Sequence, residues 1–222
     1  MEQQTVGNGA PIAPGVQALM ARPFESASID WRHGLPVLRG SVVTLREPRL
    51  SDAAALWSML ASTEVSRFMA TPPSSVEGFE RFIGWTIAER AAGNYACFVV
   101  VPHGREQPIG LFQLRRLDAS FETAEWGFAL GSDFWSSGAY ADAAEMVIEF
   151  AFAAVGAHRL EARTAVANGR GSGALRKMGA TREAILEGSL EKDGQRLDQV
   201  LWTIQDLDWR RAHRVPLDVV LH

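Results

Sequence analysis

The stretch 125–152 constrains the fold of this chain more than any other part of the sequence. Its first residues alternate, with Trp126 and Phe128 on one face and Glu125 on the other, which is the pattern of a β-strand. A turn rich in Gly and Ser follows, and from about Ala139 the apolar residues recur at helical spacing. The stretch therefore predicts a strand, a turn and a helix in direct succession.

The turn between this strand and this helix suits a phosphate group. The first N–H groups of a helix have no partner within the helix, and they lie at the positive end of its dipole. Two common phosphate-binding motifs are absent, because the string G-x-x-x-x-G-K-[ST] does not occur and only Gly138 of a three-glycine fingerprint lies at the turn. Since caps and tight turns favour Ser and Gly in any protein, an ordinary structural turn stays an alternative.

Composition narrows the classes of partner. The 222 residues, 47% of them hydrophobic, suffice for one domain with an extension. The net charge is −4, the isoelectric point is near 5.8 and no run of Lys and Arg occurs, which argues against nucleic acid as the main partner. The only cysteine, Cys97, sits in an apolar run and is predicted to be a buried structural thiol.

The ends of the chain predict no chemistry of their own. Residues 1–37 are expected to form a flexible N-terminal extension, 38–212 the folded domain and 213–222 a C-terminal tail. No signal peptide or apolar run of about 20 residues is present, so we expect a cytoplasmic protein that does not associate with a membrane.

The periodicities along the domain predict the element order β-α-α-β-β-β-α-β-α-β-β. Ser51 is a candidate cap for a helix over 52–60, and Ser75 or Ser74 for a helix over 76–92. An Asp-Gly pair at 193–194 predicts a hairpin between the last two strands. The order indicates an α/β domain with a mixed, mostly antiparallel sheet flanked by helices.

Three motifs in this order resemble the GNAT superfamily of N-acetyltransferases. They are the strand A-E-W-G-F-A-L at 124–130, the turn and helix start F-W-S-S-G-A-Y-A-D-A-A at 134–144, and N-G-R-G at 168–171 leading into L-R-K-M-G-A at 175–180. Within the superfamily, the chain resembles the branch that acetylates the N-terminal residue of ribosomal proteins. The resemblance covers the chain from about Leu38 to Arg210.

This resemblance implies a sheet whose two central parallel strands, 124–130 and 159–166, splay apart to hold acetyl-CoA. The pyrophosphate would bind backbone N–H groups at the helix start, the pantetheine arm would pair with the strand, Asn168 would hold the arm and Arg170 would meet a phosphate. No metal is implied. The implied cofactor-binding residues are Phe128, Ala129, Leu130, Ser136, Ser137, Gly138, Ala139, Tyr140, Ala141, Asn168 and Arg170.

One position departs from the family pattern [QR]-x-x-G-x-[GA]. Its last residue here is Tyr140, where the family has Gly or Ala. A ring at this position must point away from the pyrophosphate, so we expect Tyr140 to have a packing role rather than a catalytic one.

The resemblance also suggests catalytic residues. Glu125 matches a glutamate that serves as the base in several relatives; alternatively it is a solvated residue or an ion-pair partner. A strand N–H near Leu130 would polarise the thioester carbonyl. Many relatives use a Tyr as the acid, but the matching position here holds Leu175. The ribosomal branch often uses a Ser in the preceding loop, and its position holds Gly171, so the next residue, Ser172, is the candidate acid for the thiolate, with helix capping as its alternative.

The acceptor is the least determined part of the prediction. The first two helices and the late hairpin would form its groove, and an acidic leaning there would suit a cationic amine. That leaning comes from Glu64, Glu77, Glu191, Asp193 and Asp198. A protein N-terminus is the first reading, a small amine such as an aminoglycoside or metabolite the second, and a non-catalytic acyl-CoA-binding regulatory domain the third. A homodimer stays open, and the scattered histidines offer no metal spacing.

Overall fold

The computed structural model describes residues 30–213, so most of the predicted extension and nearly all of the predicted tail lie outside the described residues. An eight-stranded sheet forms the centre of this region. Its strands are β1 (Leu38–Arg39), β2 (Val43–Arg46), β3 (Tyr95–Pro102), β4 (Gly110–Arg116), β5 (Thr123–Leu130), β6 (Arg159–Ala165), β7 (Thr181–Lys192) and β8 (Gln195–Gln205). The helices are α1 (Ala53–Leu60), α2 (Thr63–Ser66), α3 (Val76–Ala91), α4 (Ala139–Phe150), α5 (Gly169–Lys177) and α6 (Asp206–His213).

The strand order is β1-β2-β3-β4-β5-β6-β8-β7, and β5 and β6 are the parallel pair of this sheet. Every other neighbouring pair is antiparallel. The predicted mixed, mostly antiparallel sheet flanked by helices is therefore confirmed.

Helices cover both faces of the sheet. One hydrophobic cluster joins α4 to side chains that include Phe98, Phe112 and Trp126, and a second joins α1 and α3 to the opposite face. Because β3 is covered on both faces, it reads as a nearly continuous apolar run. Cys97 lies in the second cluster, where burial raises the pKa of its thiol to about 12. The prediction of a buried structural thiol is confirmed.

Two predicted helix starts are wrong. The N-cap of α1 is Asp52, not Ser51, and its carboxylate binds the Arg46 guanidinium (2.7 Å) and the Arg49 N–H (2.7 Å). Helix α5 begins at Gly169, ahead of the expected start at Ala174, because the side chain of the preceding residue caps it.

Other local signals are confirmed. Ser75 caps α3 by accepting a hydrogen bond from the Gly78 N–H (3.1 Å). Asp193 and Gly194 both have positive φ, at 50° and 75°, as a tight hairpin turn requires. Within the predicted extension, Trp31 is buried and contacts Phe121 edge to face, with ring centroids 5.7 Å apart. In the region 30–213, no helix is long and apolar enough to cross a membrane.

Candidate active site

Strands β5 and β6 pair over a short distance and then separate. Their parallel ladder joins residues 123–125 to residues 159–161. Beyond it, β5 continues to Leu130 along β4, and β6 continues to Ala165 along β8. The two strands therefore open a gap at the centre of the sheet, as the predicted splay requires.

The hydrogen-bonding pattern between β4 and β5 decides which backbone groups of β5 face this gap. Leu117 donates its N–H to the Thr123 carbonyl (3.0 Å), and Gly131 donates to the Ile109 carbonyl (2.8 Å), at the two ends of the ladder. Alternate residues of an antiparallel strand bond to a given neighbour. The odd-numbered residues of β5 are thus bonded to β4, and residues 126, 128 and 130 turn their N–H and C=O groups toward the gap.

The predicted cofactor-binding residues of β5 therefore fall into two groups, those whose backbone faces the gap and those whose backbone faces β4. Phe128 and Leu130 present backbone groups to the gap, and the Leu130 carbonyl also accepts a hydrogen bond from the Trp135 indole (3.0 Å). Ala129 lies between them with its backbone turned toward β4, although the residue lines the same cleft. The free edge of β5 is therefore formed by alternate residues.

The turn that leads into α4 is built to expose backbone N–H groups. Ser136 and Gly138 both have positive φ, at 71° and 86°, and no side chain caps the helix at Gly138. The N–H (3.3 Å) and the hydroxyl (2.7 Å) of Ser137 both donate hydrogen bonds to the Phe134 carbonyl, so Ser137 is bonded within the turn. Left-handed residues in such a turn direct successive N–H groups to one side, which is a typical anion site.

The first i→i−4 hydrogen bond of α4 runs from the Asp142 N–H to the Gly138 carbonyl (3.2 Å). The N–H groups of Tyr140 and Ala141, in the first turn of the helix, therefore have no acceptor within the helix. The Ala139 N–H donates a hydrogen bond to the Ser137 hydroxyl (3.3 Å), so it already has an acceptor within the turn. Ser136, Gly138, Tyr140 and Ala141 line the large cleft, whereas Ser137 serves the geometry of the turn.

Asp142 anchors the start of α4 to the turn between β1 and β2. Its carboxylate accepts four hydrogen bonds, from the Ser41 N–H and hydroxyl and from the N–H groups of Val42 and Val43, at 2.8–2.9 Å. Burial raises the pKa of Asp142, but these backbone hydrogen bonds outweigh it, so the pKa lies below its usual value. The sequence contained Asp142 within a motif but did not indicate this role, since its partners lie about 100 residues away.

Four aromatic rings fill the α4 side of the gap. Phe128 lies against Tyr140 (ring centroids 4.6 Å apart) and against Phe112 (5.5 Å), and Trp126 lies against Phe128 (5.9 Å). We call these four residues the aromatic cluster. The ring of Tyr140 therefore packs, as predicted. The Tyr140 hydroxyl and the Trp126 indole nitrogen are buried and have no hydrogen-bond partner among residues 30–213.

Glu125 lies at the point where the gap opens, because it is the last residue of β5 that pairs with β6. One carboxylate oxygen binds Arg115 on β4 (3.0 Å to its Nε), and the other binds Arg163 on β6. Arg163 also binds Glu161 (3.3 Å). Glu125 lines the cleft, and its side chain is 22% exposed. The sequence missed both arginines, since only the strand register brings them to Glu125.

The N-terminus of α5 forms the other wall of the cleft. Asn168 caps the helix through its Oδ1, which accepts from the Gly171 N–H (2.8 Å), and a Cβ at Gly171 would lie 2.6 Å from the Asn168 Nδ2. The Arg170 guanidinium lies 4.2 Å above the Trp135 ring, next to the turn before α4. Asn168 and Arg170 both line the cleft. The structure thus brings them to the side predicted for the cofactor.

Ser172 lies elsewhere. Its hydroxyl is 3.2 Å from the Thr164 hydroxyl, which accepts a hydrogen bond from the Trp202 indole (3.0 Å). Ser172 lines a second, smaller pocket beside Trp202. Its alternative role as helix cap is wrong, because Asn168 occupies that position. A role as acid stays a prediction that would need a route from this pocket to the cleft.

A single cleft of about 1990 Å³ connects these parts. It runs from the turn before α4, through the gap, to a groove between the segment 63–73, α3 and the β7–β8 hairpin. Small-ligand pockets commonly have volumes of about 300 to 1,000 Å³, so this cleft has room for two ligands.

The predicted acidic leaning of the acceptor groove is wrong for the residues that line the cleft. Of the five acidic residues proposed, Glu64 lies in the lining and Glu77 does not, and the hairpin acids Glu191, Asp193 and Asp198 are exposed and do not line the cleft. The ionisable lining also includes basic residues, namely Arg67, Arg115, Arg163, Arg170 and Lys177. Glu191 and Asp198 lie on strands, where successive side chains point to opposite faces, and Asp193 lies in the exposed turn between β7 and β8. Among residues 30–213, no three His, Cys, Asp or Glu side chains form a group that could hold a metal ion.

Comparison with known proteins identifies a family to which most of the described chain is similar. A family model described as "Acetyltransferase (GNAT) domain" matches residues 43–181. The uncharacterized N-acetyltransferase p20 of Bacillus licheniformis is 23% identical over 163 residues, which cover 73% of this chain and 92% of p20.

Two solved structures share the fold. Mycobacterium smegmatis RimJ, in complex with CoA-disulfide, has a TM-score of 0.71 and 23% identity, over 78% of this chain and 88% of RimJ. The microcin C7 self-immunity acetyltransferase MccE, in complex with acetyl-CoA and AMP, has a TM-score of 0.67 and 20% identity, over 74% of this chain and 93% of MccE.

Proposed function

The chain belongs to the GNAT acetyltransferase family, and from this premise we propose that it transfers the acetyl group of acetyl-CoA to a primary amine, with a protein N-terminus as the acceptor. The observation that carries the proposal is the continuity of one cleft from the uncapped start of α4, through the gap between β5 and β6, to the acceptor groove. The donor and the acceptor can therefore meet at the centre of the sheet.

The residues in the cleft fit acetyl-CoA. The left-handed turn at Ser136 and Gly138 offers N–H groups to a pyrophosphate, and Arg170 adds a positive charge at the same end. The backbone groups of Phe128 and the Leu130 N–H, which face the gap, suit the amides of a pantetheine arm, which can pair as a neighbouring strand does. Two buried donors of the aromatic cluster have no partner in the described part of the chain, which supports a ligand in the gap.

Acetyl-CoA supplies a thioester whose carbonyl carbon an amine can attack. Glu125 is suited to receive the proton of the amine, directly or through a water, since its carboxylate lines the cleft where the gap opens. Arg115 and Arg163 hold that carboxylate in place from the two neighbouring strands. The N–H groups at residues 128 and 130 are suited to stabilise negative charge on the carbonyl oxygen.

The acceptor groove supports a peptide acceptor. It extends past Glu125 between the segment 63–73 and the hairpin, whose residues Ser189, Leu190 and Gln199 line it, so a chain that enters beside the hairpin can reach Glu125. The motifs that resemble the ribosomal-protein branch favour the same acceptor class. A small amine is the second candidate, because the Lys192 Nζ reaches the Thr71 hydroxyl (3.5 Å) across the groove and narrows it.

The test is release of free thiol from acetyl-CoA with three acceptor panels. These are peptides with Ala or Ser at a free N-terminus, the same peptides with a blocked N-terminus, and small amines that include polyamines and aminoglycosides. We expect turnover with the free peptides and none with the blocked ones. Turnover confined to the small amines would replace the acceptor assignment, and acetyl-CoA binding without turnover in any panel would favour a regulatory domain.

A further inference from the structure

Two buried hydrogen-bond donors of the cleft wall have no partner among residues 30–213. The Tyr140 hydroxyl and the Trp126 indole nitrogen are enclosed by the protein, yet neither has an acceptor among the residues that the structure describes. Nearly all buried polar groups in folded proteins are hydrogen-bonded, and one that is not destabilises the fold. An unpartnered donor of this kind indicates a missing partner.

Both donors belong to the wall of the gap. Trp126 and Tyr140 line the cleft, and both rings contact Phe128 and Phe112 in the aromatic cluster. Trp126 is 2% exposed, so bulk water does not satisfy its N–H. The backbone groups of residues 126 and 128 face the same gap. Because Trp126 and Tyr140 both line the cleft, a ligand in the gap is the partner that their position suits best.

The chemistry of the two groups specifies what the partner offers. An indole N–H is only a donor, and a phenol donates through its O–H. Burial raises the pKa of Tyr140, which keeps the phenol protonated at neutral pH. The complementary group is a hydrogen-bond acceptor such as a carbonyl oxygen.

We propose that the Tyr140 hydroxyl, assisted by the Trp126 indole, is a binding residue that donates a hydrogen bond to a carbonyl oxygen of the acyl-bearing arm of the cofactor. This inference rests on the proposed function. Acyl-CoA offers such oxygens in the amides of its arm and in its thioester. Tyr140 stands where the family pattern has Gly or Ala, neither of which has a side-chain hydroxyl.

Two single substitutions test the proposal, because the chain has two tyrosines and both can be changed to Phe. Tyr140→Phe removes the unpartnered hydroxyl and keeps the ring. Tyr95→Phe is the matched control, because the Tyr95 hydroxyl donates to the Gln113 side chain within the protein. The measurements are the thermal midpoint without ligand, and the Kd values for acetyl-CoA and for CoA by calorimetry.

For Tyr140→Phe we expect an unchanged or higher thermal midpoint, together with acetyl-CoA binding that is weaker by about 3- to 10-fold, the effect of one hydrogen bond. For Tyr95→Phe we expect the reverse, a lower midpoint with an unchanged Kd. If Tyr140→Phe weakens CoA binding equally, the acceptor is an amide of the arm. If it weakens only acetyl-CoA binding, the acceptor is the thioester carbonyl.

Other outcomes would overturn the proposal. A lower midpoint with an unchanged Kd would show that the Tyr140 hydroxyl serves packing alone. Unchanged values of both quantities would show that the hydroxyl has no ligand partner. If the wild-type protein does not bind acetyl-CoA at all, the proposed function fails and this inference fails with it, whereas normal wild-type binding with an equal variant removes the inference alone.

Discussion

Glu125 shares its two carboxylate oxygens between Arg115 and Arg163, so three strands fix the position of the proposed base. Glu161 occupies the paired position on β6 and binds Arg159 and Arg163. The two glutamates thus belong to one ion-pair network, but Glu125 lines the cleft. Substituting Glu125 and Glu161 separately therefore distinguishes the effect of the ion-pair network on kcat from the effect of the proposed base.

We expect Glu125→Gln to lower kcat by about 10²- to 10⁴-fold, the usual contribution of a general base, while the Kd for acetyl-CoA is maintained. Glu161→Gln is the control, since it removes a charge from the same network without touching the cleft. Steady-state kinetics and calorimetry measure the two effects. An equal loss of kcat in both variants would assign the effect to the network rather than to the base.

Asp142→Asn should loosen the turn that leads into α4. The substitution weakens charge-assisted hydrogen bonds to the turn between β1 and β2, so we expect a loss of about 1 to 3 kcal/mol in the free energy of unfolding and weaker binding of acetyl-CoA. Gly40→Ala tests the same contact from the opposite side, because a Cβ at Gly40 would lie 2.2 Å from the Asp142 Oδ2. Gly34→Ala is its control, since nothing lies within 4 Å of that position.

The contribution of Asp142 also has a defined pH dependence. Its pKa is lower in the folded protein than the ordinary value of 3.8, so the stabilisation is complete above that value and is lost as the pH falls through the folded pKa. The difference in unfolding free energy between wild type and Asp142→Asn should thus be constant near neutral pH and shrink below about pH 4. Denaturant unfolding at several pH values measures it; a difference that persists in acid would contradict this assignment.

At the scale of elements, β5 is a strand with one bonded edge and one free edge beyond Glu125. The N–H groups of residues 127 and 129 are directed to β4, whereas those of residues 126, 128 and 130 are directed to the gap. A bound pantetheine arm would act as a partial strand on this free edge. Binding of the arm should therefore affect the N–H groups of even-numbered residues of β5 more than those of odd-numbered residues.

We expect acetyl-CoA to slow amide hydrogen exchange at Phe128 and Leu130, because these N–H groups gain acceptors or lose access to water. Gly127 and Ala129 should change less, since their N–H groups already bond to β4. Residue-resolved exchange measured by NMR, with and without the ligand, makes the comparison. Equal protection of odd and even residues would contradict the backbone-pairing mode, while leaving open that the ligand binds elsewhere in the cleft.

At the scale of the whole molecule, three residue pairs of β5 and β6 join the two halves of the sheet. A ligand in the gap contacts both halves and the start of α4. Because such a ligand binds the folded state alone, it should stabilise the protein by mass action, by about 2.7 kcal/mol at a concentration of 100 times Kd.

For a domain of this size, that stabilisation corresponds to an increase of about 5 to 11 °C in the thermal midpoint. We expect Glu125→Gln to show the same increase, since the proposed base does not hold the cofactor. Differential scanning calorimetry provides the measurement. Adenosine 3′,5′-bisphosphate lacks the arm, so at the same molar concentration as acetyl-CoA it should raise the midpoint less. An equal increase at equal concentration would argue against binding in the gap.

The sequence by itself determined most of the elements, their order and the ends of most of them, but it missed the two-residue strand β1, the single-turn helix α2 and the C-terminal helix α6. The strand, turn and helix at 125–152 have strong local signals, because alternation, positive-φ turn residues and helical spacing are properties of neighbouring residues. The motif at 134–144 likewise located the turn before α4, and Ser75 and the Asp193–Gly194 pair located a cap and a hairpin. Local physics decides each of these features.

Only the tertiary structure decided which side chains meet. The four hydrogen bonds of Asp142, the arginines around Glu125 and the separation of Ser172 from the cleft all depend on contacts between distant segments. The acidic groove expected from the sequence failed for the same reason, because the placement of α3 and of the β7–β8 hairpin decides which carboxylates line the cleft. Sequence patterns specify periodicity within an element, whereas the electrostatics of a site depend on how elements are placed beside one another.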